Sequence, residues 1–106
     1  AQSGASMLAV PSAFTAATGK AHWHTLLRAR AIENACYVIA PAQCGSHPGG
    51  RQTFGHAMIV SPWGEILAEA GEIPGRIEAQ IDPAEVAEAR RRIPVLDHER
   101  PFTTPG

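Results

Sequence analysis

The sequence predicts an α/β fold, mixed toward α+β. Two short apolar runs, Met7 to Val10 and Tyr37 to Ala40, are each stopped by a proline, as strands are. One long helical stretch, Gly19 to Ala35, lies between them. Further on, S-P-W-G at Ser61 to Gly64 separates two apolar segments, a hairpin signal.

The chain has 106 residues, enough for at most one domain, which buries roughly two thirds of the surface it exposes when unfolded. It is 44% hydrophobic and 18% charged, so it is globular in class, and its net charge of -1 points away from nucleic acid and acidic membranes. Its apolar runs are too short to span a bilayer. Cys36 and Cys44 come without a charged-then-apolar leader, so a reduced, cytoplasmic setting is expected. The opening A-Q-S-G-A-S, with no initiator Met, reads as an interior cut.

Met7 to Val10 is a continuous apolar run and is predicted to be a central strand buried on both faces. Ser12 to Lys20 is a loop with Phe14 as its one large side chain, and Thr18 or Gly19 punctuates the start of the helix. On that helix Trp23, Leu26 and Leu27 form an apolar ridge, while Ala29, Ile32 and Ala35 lie on other sides. A helix apolar on most faces needs cover on more than one side, so Trp23 to Ala35 is expected to pack on a sheet and also against a partner. Arg30 and Glu33, three residues apart, are expected to pair.

Tyr37 to Ala40 completes a β-loop-α-β unit, which calls for parallel pairing. Gln43 to Gly55 is rich in Gly and lacks periodicity, so a surface loop is predicted. His56 to Val60 and Glu65 to Glu69 form the hairpin arms. Arg76 to Ile81 alternates, placing Ile77, Ala79 and Ile81 on one face of a half-exposed strand. Asp82 and Glu85 cap a helix that starts at Pro83, and Arg90 to Arg92 end it where cations suit the dipole. Val95 to Gly106, with two prolines and no periodicity, reads as an extended tail lying on another surface.

Cys44 with His47 is the most tempting reactive pair, because a thiolate needs a nearby base, although an idle thiol is the commoner fate. Cys36 reads as core filler. His22 and His24 are two apart on a helix and point to different sides, so no metal is expected there without irregular backbone. Glu65, Glu69 and Glu72 read as a solvated face. Ligands of sheet proteins sit beyond the carboxyl ends of strands, which makes Phe14, Thr15, Thr18, His22 and Trp23 candidate substrate contacts. The loop carrying Cys44 and His47 is expected to face the same cleft. The competing reading is that these residues only pin the loop.

The blocks V-P-S-A-F-T-A-A-T-G-K-A-H-W, L-L-R-A-R-A-I-E-N, Y-V-I-A-P-A-Q-C-G, G-H-A-M-I-V-S-P-W-G-E and I-P-V-L-D-H-E-R-P resemble the C-terminal part of nitrilase-superfamily carbon-nitrogen hydrolases. A-Q-C-G-S-H with P-V-L-D-H-E-R-P looks most like the deaminated-glutathione-amidase branch. The resemblance implies an α-β-β-α sandwich, a small amide substrate, no cofactor and a dimer built on the long helix. It places the catalytic Glu, Lys and Cys upstream of V-P-S-A-F-T, so none of the three is in this chain and Cys44 is not the nucleophile. Two positions depart from the family pattern, His24 where Glu is common and Ala57 where Ser is frequent. The chain alone is therefore expected to be inactive, and too short of covering layers to complete a sandwich. The rival expectation is a non-catalytic partner-binding module.

Overall fold

The computed structural model describes residues 1–106. Four strands form one sheet in the order β1 (Met7–Ala9), β2 (Tyr37–Ala40), β5 (Met58–Val60), β6 (Ile66–Glu69). β1 and β2 are parallel, with Leu8 beside Val38, and the remaining pairs are antiparallel. A separate two-stranded ribbon joins β3 (Cys44–Ser46) to β4 (Gln52–Phe54).

The crossover from β1 to β2 is the expected helix, but it begins earlier and is irregular. It runs as α1 (Ala16–Thr18), a π-helical turn at Gly19–Trp23, and α2 (His24–Asn34). Thr15 caps its start, its Oγ1 accepting from the Thr18 N–H at 3.4 Å. Gly19 permits the π turn to lie against the ribbon, since a Cβ there would stand 2.3 Å from the Cβ of Phe54. Ala35, in the left-handed conformation at φ 46°, ends α2.

The buried ridge of this helix is Trp23, Leu27 and Ala31, packed on Val38, Ala40, Met58 and Val60. Leu26 was expected on that ridge but is 42% exposed, whereas Leu27 is 2% exposed. Spacings of four keep 23, 27 and 31 in line, and one residue of offset turns a side chain through about 100°. Arg30 and Glu33 do pair, at 2.7 Å, on the exposed side. An ion pair this exposed contributes at most about 1 kcal/mol.

Four other expectations are corrected. Within these 106 residues β1 is an edge strand, and Met7 is 50% exposed. The apolar run correctly marks a strand, but burial on both faces needs a layer on each, and α2 covers only one. Residues 43–55 are not a plain loop, because the β3–β4 ribbon lies within them, pairing Cys44 with Phe54 and Ser46 with Gln52. Arms of three residues are too short to show a period. Residues 76–81 form no strand, although Ile77, Ala79 and Ile81 are the half-buried ones, so the alternation reports which side is covered rather than a ladder. The tail starts with a 3-10 turn at Val95–His98, and Gln2 holds it by donating to the Leu96 carbonyl at 2.9 Å and to Glu99 at 3.0 Å.

The hairpin turns where S-P-W-G predicts, with Gly64 at φ 92° and its carbonyl accepting from Arg28 Nε at 2.8 Å. α3 (Pro83–Arg92) starts at its predicted cap, with Asp82 Oδ1 accepting from the Ala84 N–H at 2.9 Å. The Glu85 carboxylate does not reach back to Asp82. Tyr37 stands between them, donating to Glu85 Oε2 at 2.6 Å while its hydroxyl accepts from the Asp82 N–H at 3.1 Å. This core tyrosine therefore ties β2 to the start of α3. At the other end Arg90 donates to the Ala5 carbonyl at 2.7 Å and lies 3.2 Å from the Cys36 sulfur, so Cys36 is core, as expected.

Candidate functional site

The carboxyl ends of the parallel pair open into a groove of about 510 Å³, lined by Pro11, Ser12, Ala13, Pro41, Ala42 and Gln43. Its walls are tied across by backbone bonds, with Ser12 N–H donating to the Pro41 carbonyl and Gln43 N–H to that of Ser12, both at 3.0 Å. Ser12 and Gln43 are lining residues that sequence reasoning did not single out. The signal for them was the pair of strand-ending prolines one residue or so before.

The predicted contact residues lie next to this groove rather than in its lining. Phe14 packs on Trp23 with ring centroids 5.0 Å apart, and its carbonyl accepts from the Phe54 N–H at 2.9 Å. Thr15 bridges to Thr53 and meets Thr18 with hydroxyls 2.7 Å apart. His47 Nε2 lies 2.7 Å from Thr53 Oγ1, so β4 gathers Phe14, Thr15, Thr18 and His47 along one ribbon. The other three are placed elsewhere. Trp23 is 1% exposed and its indole N–H donates to the His56 carbonyl at 2.7 Å, which makes it a core residue. His22 is on the exposed side of the π turn. Cys44 borders a separate depression with His56 and Ile73, and its neighbour there is not His47.

A second cluster was not legible in the sequence. His24 Nε2 lies 2.8 Å from Glu69 Oε1, and His56 Nδ1 lies 3.1 Å from Glu69 Oε2. A carboxylate only accepts, so both imidazoles present N–H groups to it. Burial pushes the Glu69 carboxyl up, but the hydrogen bonds from His56 and then His24 outweigh it and hold the group below its ordinary value. His22 does not join His24, as helix geometry requires, even though the backbone before His24 is irregular. Glu69 is thus a partnered residue and not merely part of a solvated face.

Against known proteins, the carbon-nitrogen hydrolase family matches residues 1–91. The chain belongs to the carbon-nitrogen hydrolase family. The deaminated glutathione amidase of Synechocystis is 60% identical to this chain over 95 residues, covering 90% of it and 35% of the relative. The human deaminated glutathione amidase is 52% identical over 101 residues, 95% of this chain and 31% of the relative. The chain therefore spans about a third of the length of these curated relatives. Among solved structures, the nitrilase and fragile histidine triad fusion protein of Caenorhabditis elegans superposes with a TM-score of 0.82 at 52% identity, over 92% of this chain and 24% of that one. Saccharomyces cerevisiae Nit3, a member of branch 10 of the nitrilase superfamily, gives 0.83 at 38% identity, over 88% and 34%. The nitrilase-superfamily fold that the motifs imply is the fold of this carbon-nitrogen hydrolase chain.

Proposed function

We propose that the protein containing these residues is an amidase of the deaminated-glutathione type. The observation that carries this reading is the 60% and 52% identity to deaminated glutathione amidases along nine tenths or more of the chain. In the reaction the resemblance implies, a cysteine sulfur attacks the amide carbon and a glutamate takes the thiol proton and passes it to the leaving nitrogen. A lysine steadies the developing oxyanion. Ammonia departs, and water cleaves the thioester to the acid and the free thiol. Those three groups lie outside the 106 residues, so this chain supplies a wall of the pocket and the chain alone turns nothing over.

The groove lined by Ser12 and Gln43 is taken as the substrate-facing part of that wall, with Phe14, Thr15, Thr18 and His47 on the adjoining β4 ribbon. The open face of the sheet supports the same reading. Met7, Ala9 and Ile39 lie on the side away from α2 and are exposed, as expected of a sheet that packs on a second one. We further propose a homodimer through the outward side of α2, where Leu26 is uncovered beside Arg30 and Glu33. Two free thiols, Cys36 and Cys44, agree with a reducing compartment such as the cytoplasm.

The test is ammonia release from deaminated glutathione by the full-length protein, with the acyl-enzyme sought by intact mass after rapid quenching. Turnover with a thioester adduct is the expected result. Absence of both in a folded full-length protein overturns the amidase reading. Phe14→Ala and His47→Ala are expected to change KM, and unchanged kinetics in both would leave those residues as pins of the ribbon. Sedimentation showing a monomer at high concentration removes the dimer.

A further inference from the structure

His24, His56 and Glu69 present their donor atoms within 4.8 Å of one another, each from a different element. His24 opens α2, His56 immediately precedes the segment leading into β5, and Glu69 closes β6. The amidase reaction uses none of them. We propose that they form a binding site for a divalent cation of the zinc class, with two imidazole nitrogens and one carboxylate as protein ligands.

The donor set selects the ion. Two imidazoles and a carboxylate suit zinc, nickel or copper, whereas magnesium and calcium take all-oxygen shells. Three protein ligands leave a fourth position for water. The mounting is rigid at the centre of the site. His56 is held at φ 57°, a left-handed conformation that a side-chain-bearing residue keeps only when its surroundings fix it. Here the fixing groups are the Trp23 indole N–H on its carbonyl and the Phe54 ring stacked on its imidazole at 4.1 Å and 22°. The same phenyl ring stands edge-on to His24, with centroids 6.1 Å apart.

One outer partner lies nearby. If His56 ligates through Nδ1, its proton sits on Nε2, and Glu72 Oε1, 3.8 Å from that nitrogen, needs a small side-chain shift to accept it. A carboxylate behind a ligating histidine orients the ring and raises its basicity. The cation replaces the two N–H groups that now bridge to Glu69, so binding releases no residue from the fold and cross-links α2 to the β5–β6 hairpin.

This assignment is independent of the amidase reading, because its readout is binding. Full-length protein is stripped with chelator and titrated with Zn²⁺ by calorimetry, and separately with Co²⁺ by visible absorption. The expected result is about one equivalent bound per chain, a Zn²⁺-dependent rise in Tm, and Co²⁺ bands of a nitrogen and oxygen shell without thiolate charge transfer. H24Q and E69Q, each checked for native circular dichroism, are expected to weaken Zn²⁺ binding by at least about tenfold and to abolish the Tm response. His24 is partly exposed at a helix start, so H24Q retains a folded protein even if E69Q does not. Equal Zn²⁺ affinity in wild type and H24Q overturns the site. So does a Co²⁺ spectrum dominated by thiolate charge transfer, since that places the ion on a cysteine.

Discussion

The two faces of the four-stranded sheet are made from alternate residues of the same strands, yet they end in opposite environments. Leu8, Val38, Ala40, Met58 and Val60 turn toward α2 and join a core with Trp23, Leu27 and Ala31. Met7, Ala9 and Ile39, one residue out of phase, turn away and stay exposed, Ile39 by 37%. Composition does not separate the faces, because both are apolar. Cover does: α2 closes one side, whereas on the other Tyr37, tied to the start of α3, and Ile59 are buried but Met7, Ala9 and Ile39 are not, giving a slab 46 by 44 by 20 Å. The closed face is where these residues are self-sufficient, and the open face is where they need a second layer.

The largest expected effect comes from breaking the closed face. Trp23→Ala removes the biggest buried ring and the indole N–H that anchors His56, and is expected to cost about 3 to 5 kcal/mol by denaturant unfolding of the full-length protein. Leu26→Ala, on the same helix but uncovered, is expected to leave monomer stability within about 0.5 kcal/mol and to weaken the dimer instead. Equal losses for the two variants would erase the contrast.

Next in size is the seam between the helix and the ribbon. Gly19→Ala places a methyl group against the Phe54 stem, which cannot swing away as a side-chain tip could, and is expected to cost about 1 to 3 kcal/mol. Normal stability of that variant would mean the π turn shifts freely.

The open face sharpens the comparison. Ile39→Ala is expected to cost under about 1 kcal/mol in the isolated 106-residue chain, which is itself expected to be loosely folded, and about 2 to 5 kcal/mol where a second layer buries it. Similar losses in both settings would show that nothing packs there.

The smallest effect is a pH dependence at the foot of β2. Burial, and then the hydrogen bond to Glu85, raise the Tyr37 hydroxyl above its ordinary 10.0. The folded state therefore holds this proton more tightly than the unfolded chain. Its contribution is complete below pH 10 and is lost as pH rises through the raised value. Tyr37→Phe is expected to flatten the alkaline arm of the stability profile, and an unchanged arm would assign that slope to other groups.

Several elements were legible from a few neighbouring residues. Asp82 and Pro83 start α3, S-P-W-G turns the hairpin, and Pro11 and Pro41 bound the two strands of a parallel unit. Each of these is decided by local backbone preference, so the residues that cause it are adjacent in the chain. The candidate site was legible only in outline. The groove does lie beyond the carboxyl ends, and its polar lining, Ser12 and Gln43, lacks the aromatic or imidazole character that draws attention in a sequence.

The sequence by itself determined the class of the fold, the parallel crossover, the caps and turns, and through its motifs the family. Tertiary structure alone decided that β1 is an edge within these 106 residues, that Leu27 and not Leu26 is core, and that Gln43 to Gly55 holds a ribbon. It also brought His24 to Glu69, which lies 45 residues away. The physical reason is common to these cases. Burial and donor convergence are properties of what lies across a contact, and a one-dimensional pattern carries the preference of each side chain but not the identity of its neighbour.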